Sequence, residues 1–262
     1  MTAVDFEAFV DRLTTVAGEA ILPFFRTTIG VEDKGRPGAF DPVTAADRAG
    51  ERAMRSLIEA TFPSHGILGE EYGQVREDAE LVWVLDPIDG TRSFITGLPA
   101  WGTLVGLLRK GTACFGQMHQ PFTRERFSGD CRTARYRGPI GDRRLRVRAC
   151  PALAEATLMT TTPRLFADAE LAAFGELEST ARLTRFGGDC YAYCMLAAGH
   201  VDLVVESGLQ PYDIVPLIPI IEGAGGVVTT WRGGPATEAG RIVAAGDRRA
   251  HAAALEVLSR VE

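Results

Sequence analysis

Apolar residues at Phe6, Phe9, Leu13, Val16, Ala20, Ile21 and Phe24 recur along one stripe of residues 4–25, which predicts an amphipathic helix. Thr44 stands three residues before Asp47, a capping box with Asp in place of Glu, and predicts a second helix from there to about Thr61, stopping before Pro63. From Gly66 to Phe127 the pattern turns strand-like, over 66–69, 81–85, 102–108, 113–119 and 123–128, with turns at Arg109-Lys110-Gly111 and Gln120-Pro121. After Cys150 strands and helices alternate: 157–161, 168–178, 182–186, 189–199, 201–205, 213–224, 226–229, 242–245 and 247–260. Alternation favours helices on both faces of a sheet. The division this predicts is an α+β half with a large antiparallel sheet, 1–147, followed by an α/β half, 148–262. No internal repeat or low-complexity tract interrupts it. Lys34-Gly35-Arg36-Pro37-Gly38 reads as a mobile loop.

Composition narrows the class without changing this picture. With 262 residues, 46% apolar and 24% charged, the chain can bury a full core. Its net charge of −6 weighs against a nucleic-acid partner, although a bound metal can invert the field of a local site and admit a small phosphate. The richest apolar stretch, Ile214 to Ile221, is short and holds two prolines, far from the roughly 18–20 residues of a membrane span. Asp5, Glu7 and Asp11 replace the basic start of a secretion signal. The five cysteines form no CxxC pair and read as reduced, buried thiols. These features predict a cytoplasmic protein without membrane or nucleic-acid partners. Nine arginines crowd 124–148, but they alternate with Phe127, Tyr136, Leu145 and Val147, which reads as solvated strand faces or an interface rather than an anion surface.

The chemistry concentrates at Asp86-Pro87-Ile88-Asp89-Gly90-Thr91, at the end of the apolar run Leu81–Leu85 and downstream of Gly69-Glu70-Glu71. Ionised carboxylates withdrawn from water need cations or hydrogen-bond donors. An all-oxygen set without His or Cys suits Mg²⁺ or Mn²⁺, not zinc, and the four histidines are scattered. The Ile88 side chain cannot ligate a metal, but its carbonyl can. Gly90 lets backbone approach a ligand, and a helix starting near Thr91 would turn the amides of 90–93 toward an anion. Cations and an anion pocket sharing one phosphate fit hydrolysis of a phosphate monoester.

Four ordered blocks carry a family resemblance: Asp41-Pro42-Val43-Thr44-Ala45-Ala46-Asp47, Gly69-Glu70-Glu71, Asp86-Pro87-Ile88-Asp89-Gly90-Thr91 and Tyr212-Asp213. Together they resemble the inositol monophosphatase superfamily, over nearly the whole chain. The runs Gly90-Thr91-Arg92-Ser93-Phe94-Ile95-Thr96-Gly97-Leu98-Pro99-Ala100-Trp101-Gly102 and Gly187-Gly188-Asp189-Cys190-Tyr191-Ala192-Tyr193-Cys194 are closer in wording to bacterial histidinol-phosphate phosphatases. Tyr212 stands where the family usually has Trp.

The resemblance implies a layered α/β/α/β/α sandwich and a phosphatase using two or three Mg²⁺ ions, with Mn²⁺ as a substitute and with sensitivity to lithium. It implies a first metal on Glu70, Asp86 and the Ile88 carbonyl, and a second on Asp86, Asp89 and Asp213. It implies a hydrogen-bonded Thr91–Asp47 pair that orients and deprotonates water together with Glu70. Gly90, Thr91, Arg92 and Ser93 would meet the phosphate, and a homodimer is usual. Asp189 and Glu206, read as two acids away from the metals, suit a cationic substrate, so L-histidinol phosphate is the expected ester. Inositol 1-phosphate is the alternative. Fructose 1,6-bisphosphate, a 3′(2′),5′-bisphosphate nucleotide, or a non-catalytic binding relative stand behind it. Glu71 is open between a site and an outward role, Lys34 reads as a solvated loop lysine, and Trp101 reads as core.

Overall fold

The computed structural model describes residues 6–28, 30–34 and 42–261. Asp5, the glycine-bearing loop at 35–38 and Asp41 of the first motif lie outside the described residues. In chain order the elements begin with α1 (Phe6–Ile21), β1 (Val31–Asp33), β2 (Pro42–Thr44) and α2 (Ala45–Thr61). Next come β3 (Gly66–Gly69), β4 (Gly73–Val75), β5 (Leu81–Asp89), α3 (Thr91–Ile95), β6 (Gly102–Arg109) and β7 (Thr112–Gln120). Then β8 (Glu125–Gly129), β9 (Ala134–Gly138) and β10 (Gly141–Arg144) complete the strands of the first large sheet. After it follow β11 (Thr157–Thr160), α4 (Asp168–Thr180), β12 (Leu183–Phe186), α5 (Asp189–Ala197) and β13 (Leu203–Leu209). The chain ends with α6 (Pro211–Ile214), α7 (Ile218–Gly223), β14 (Val227–Thr230), β15 (Gly240–Ala245) and α8 (Arg248–Leu258).

Strands β3 to β10 make one sheet in the order β10-β9-β8-β7-β6-β5-β3-β4, antiparallel except for the parallel β3–β5 pair. Strands β11 to β15 make a second, in the order β12-β11-β13-β15-β14, with parallel pairs at β11 and antiparallel pairs at β15. Side chains on a strand alternate between faces, and β5 shows what that does here. Trp83 and Leu85 join a core with Phe9, Leu13, Met54 and Ile58 of α1 and α2. Val84 faces the other way, into a core with Cys194, Ile220 and Ile221 of α5 and α7. A third core lies between the second sheet and α4 and α8, with Leu203, Val205, Phe174 and Leu258. The result is five layers: α1 and α2, the large sheet, α5 to α7, the small sheet, then α4 and α8. Among the described residues, no helix is long and apolar enough to cross a membrane.

Two departures from the sequence pattern have physical causes. The segment 213–224 is two short helices, because Pro216 and Pro219 remove backbone donors and the chain presses into a groove between them. Gly106, Gly116 and Gly129 are cross-strand partners on β6, β7 and β8 and form that groove. A Cβ on Gly116 would lie 1.9 Å from the Pro216 carbonyl oxygen, and one on Gly129 2.3 Å from that of Pro219. Strand β5 runs on through Asp89, with a register shift between Asp86 and Asp89 where Pro87 cannot donate to the ladder. The arginine-rich stretch forms strands, as its alternation suggested, in β8, β9 and β10, and several of its charges are paired. Arg126 donates to Asp11, Thr14 and Thr15 of α1, Arg137 pairs with Asp11, and Arg148 pairs with Asp202 at 2.5 Å.

Candidate active site

Asp86 shares the strand parity of Val84, so its carboxyl enters the layer between the two sheets, where α6 brings Asp213. The bulge then returns Asp89 to the same place. Each of Asp86, Asp89 and Asp213 offers a carboxylate oxygen within 4.8 Å of the others. At that separation two ionised carboxylates repel by roughly 3 kcal/mol at an effective dielectric near 20. The acids respond by holding protons. Burial, then the charges of Glu70, Asp89 and Asp213, push Asp86 well above the carboxylate range. Burial and Asp89 do the same to Asp213, and burial with the Asp189 charge lifts Asp89 to about 7. A hard divalent cation among these oxygens removes the repulsion, so the donor set fits one. Asp86 Oδ1 accepts the Ile88 amide at 2.9 Å, and Asp89 Oδ2 accepts that of Cys190 at 2.6 Å, so two of the three are oriented by backbone.

Glu70 follows β3, and its amide donates to the Leu85 carbonyl at 3.2 Å, which ties it to β5. Burial raises its carboxyl to about 7, with Lys34 opposing and Glu71 adding. Lys34 stays exposed, as its loop suggested, but it also reaches the site: its ammonium lies 3.2 Å from Glu70 and 2.6 Å from Glu71. Glu70 and Glu71 together draw the ammonium in. Glu71 is thereby placed too, with its side chain buried against Lys34.

The sequence pattern overlooked Glu51, which holds this turn. Its carboxylate accepts the Glu71 amide at 2.7 Å, the Tyr72 amide at 3.1 Å and Arg55 Nε at 2.7 Å. A Cβ on Gly69 would lie 2.1 Å from Glu51 Oε1, so only glycine lets the carboxylate this close. The signal was there in the spacing: Glu51 is four residues after Asp47, on the same face of α2.

Asp47 completes the expected capping box. Its Oδ2 accepts the Thr44 amide at 2.7 Å and the Thr44 hydroxyl at 2.6 Å, and Thr44 Oγ1 accepts the Ala46 amide at 3.1 Å. Burial raises its carboxyl, and Glu71 adds to that. The expected Thr91–Asp47 hydrogen bond gives way to another partner. Thr91 has one hydroxyl proton and donates it to the Ile88 carbonyl at 3.1 Å. Gly90, at φ 88°, makes the left-handed turn that starts α3 at Thr91.

Gly90, Thr91 and Arg92 line a cleft of about 300 Å³ together with Glu70, Asp86, Ile88, Asp89, Asp189, Glu206 and Asp213. Ser93 does not line it; its hydroxyl is spent on Asp189 Oδ2 at 3.2 Å. Asp189 does not stand away from the acid cluster, as its place in the chain suggested. The Cys190–Asp89 hydrogen bond pulls the start of α5 onto the Gly90 turn, where a Cβ would be 3.2 Å from the Asp189 side chain. Asp189 adopts φ 43° there, and its carboxyl is raised by burial. Glu206 is fully buried on β13. Its carboxyl is raised to about 8 by burial, although it accepts the Thr161 amide at 2.6 Å and the Thr160 hydroxyl at 3.1 Å. Trp101 is core, as its neighbours suggested. All five cysteines are free.

Residues 5–262 match the model of the inositol monophosphatase family. The chain is 43% identical over 264 residues to "Bifunctional phosphatase IMPL2, chloroplastic" of Arabidopsis thaliana, covering 97% of this chain and 75% of that protein. It is 31% identical over 224 residues to a histidinol-phosphatase of Chlorobaculum parvum, covering 85% and 84% of the two chains. A solved inositol monophosphatase from Zymomonas mobilis superposes with a TM-score of 0.87 at 40% identity, over 99% of this chain and 100% of that one.

Proposed function

Because this chain belongs to the inositol monophosphatase family and is a phosphatase of small phosphorylated substrates, we propose that it hydrolyses L-histidinol phosphate to L-histidinol and phosphate. The observation that carries the reading is the place of Asp189, a carboxylate over the Gly90 turn and beside the acid cluster. In L-histidinol phosphate the ammonium sits on the carbon next to the ester-bearing one, two carbons from the ester oxygen, so an acid beside the phosphate turn suits it. Glu206, in the same cleft, has its carboxyl raised to about 8 by burial; a bound imidazolium would favour its ionised form, which keeps acceptor sites beyond those taken by Thr160 and Thr161. The histidinol-phosphatase name of one relative agrees with this reading.

Asp86, Asp89 and Asp213, with Glu70 and the Ile88 carbonyl, would hold Mg²⁺, two or three ions in all, with Mn²⁺ as a substitute. Bound there, the cations would act as Lewis acids that neutralise charge on the phosphoryl oxygens and make water nucleophilic at neutral pH. The chain's own residues do the rest. Gly90, Thr91 and Arg92 seat the phosphate at the start of α3. Ser93 acts at one remove, by fixing Asp189. Glu70 holds the proton that leaves the attacking water; Thr91, whose one proton goes to the Ile88 carbonyl, orients that water as an acceptor, and Asp47 fixes Thr44 and the start of α2 behind it. The N-terminal half brings most of these groups and the C-terminal half brings Asp213, Asp189 and Glu206. In solution we expect a homodimer.

The experiment is the ratio of kcat/KM for L-histidinol phosphate over inositol 1-phosphate in Asp189→Ala. The reading expects that ratio to fall at least about tenfold, as for loss of a charge-assisted contact. An unchanged ratio removes Asp189 from substrate recognition. Failure of the soluble chain to rescue a histidine auxotroph lacking this phosphatase would move the assignment to inositol 1-phosphate. The name of the Zymomonas mobilis neighbour favours that second reading.

A further inference from the structure

Tyr193 is 3% exposed, lines the cleft, and its hydroxyl has no hydrogen-bond partner among the described residues. An unpaired buried hydroxyl is costly, and native proteins rarely keep one without a reason. Phenylalanine would fill the same space without that cost. The hydroxyl is also surrounded in a particular way. After burial itself, the charges of Glu206, Asp89 and Asp213 are what hold the phenol in its protonated form. Asp89 and Asp213 of the acid cluster and Glu206 line the same cleft as Tyr193, so the ring shares its walls with both the cation-binding acids and the substrate-reading ones. It reaches this place because Tyr193 is one helical turn after Asp189 on α5, so both residues present the same face to the cleft.

A phosphomonoester with its phosphate at Gly90–Arg92 has the first carbons of its leaving group between those walls. Acceptors already crowd there, so a polar group on those carbons is best received as a donor, and the phenol oxygen has two free lone pairs. We propose that Tyr193 is a specificity-determining residue, its hydroxyl oxygen accepting a hydrogen bond from the ammonium or hydroxyl that the leaving group carries next to the ester. This rests on the phosphatase reading of the cleft, and it deepens the choice of substrate. It selects polar alkyl phosphates over esters with no donor beside the ester oxygen. It also explains why a destabilising oxygen is kept.

Tyr193→Phe removes that one oxygen, and two readouts separate a recognition role from a structural one. The first is the melting temperature of the metal-free protein. The second is kcat/KM on L-histidinol phosphate, inositol 1-phosphate and phenyl phosphate, which has no donor beside its ester. The proposal expects a melting temperature equal to or above that of the wild type. It also expects the ratio of kcat/KM for the preferred polar ester over phenyl phosphate to fall about tenfold or more. A lowered melting temperature would show that the hydroxyl has a structural partner, and would overturn the proposal. Equal losses on all three esters, or no loss on any, would overturn it as well. Should the wild type prefer inositol 1-phosphate, the histidinol phosphate reading falls, and Tyr193 is judged by the ratio on inositol 1-phosphate instead.

Discussion

Glu51 is a charged group with no exposed surface, placed behind four other acids, and its cost is offset by what it holds. Three donors converge on it, one of them the buried-side nitrogen of Arg55, and two are the backbone amides that follow Glu70. Glu51→Gln keeps an oxygen but leaves Arg55 without its countercharge. Breaking a buried pair from one side costs about 3–5 kcal/mol, and we expect the lower end because Arg55 also donates to the Gly73 carbonyl. The turn carrying Glu70 should loosen with it. A denaturation midpoint together with a divalent-cation titration checks this. A wild-type cation affinity in the variant would mean that the turn does not depend on Glu51. The acids of the cleft were legible from residue type and order, since no other arrangement of Asp86, Asp89 and Asp213 makes sense without a cation. Glu51 and Lys34 were not, because what decides their roles is the meeting of α2, the turn at 69–72 and the segment before β2. The partners of Asp47 and Thr91 were half legible: the local capping box could be read from spacing, but the competition between Asp47 and the Ile88 carbonyl for one hydroxyl proton could not.

The position of Asp213 is decided by packing between elements. The backbone at Pro216 and Pro219 sinks into the glycine row of β6, β7 and β8, and α6 is thereby set beside β5 and its acids. Gly116→Ala puts a methyl carbon where the Pro216 carbonyl oxygen now is, a backbone atom that cannot swing aside. We expect a loss of about 2–3 kcal/mol from overpacking. Because Asp213 is three residues before Pro216, a weaker divalent-cation affinity should accompany it. Thermal melts and a cation titration of the same variant check both parts; lowered stability with an intact cation affinity would show that α6 is positioned by something other than the groove. Strands and helices were legible wherever one face is apolar, as in α1, α2, β6 and β7. The pattern failed at 213–224, where an all-apolar run hides its period and two prolines were outweighed by hydrophobicity. At β9 and the edge strand β10 it read the arginines as solvated strand faces but set no strand bounds, because short strands with polar outward faces carry little apolar signal.

Five stacked layers bury few titratable groups outside the cleft, and His119 is one of them. It lies under α1 with Nδ1 3.1 Å from the Thr14 carbonyl oxygen. Burial, then the charge of Arg126, lowers it from 6.5 to about 4. The unfolded chain therefore takes up a proton near pH 6.5, while the folded chain resists until about pH 4. Stability contributed by this site should be complete above pH 6.5 and fall by roughly 3 kcal/mol on acidification to pH 4. Urea midpoints of wild type and His119→Gln between these limits test it: the wild type should lose more on acidification, and parallel curves would contradict the assignment. The split into a strand-rich half and an alternating half was legible from the order of segments, the five-layer stacking only from the family resemblance, and the reaction class from the acids of the 86–91 run. The substrate depends on the fine placement of Asp189, Tyr193 and Glu206, which only the folded cleft displays. Its most direct test is steady-state phosphate release by the wild-type protein in Mg²⁺, on L-histidinol phosphate and on inositol 1-phosphate. The account predicts cation-dependent release with kcat/KM for L-histidinol phosphate higher by about two orders of magnitude, as expected for two charged contacts at roughly tenfold each. Equal or faster hydrolysis of inositol 1-phosphate, or release that does not depend on the cation, would contradict it.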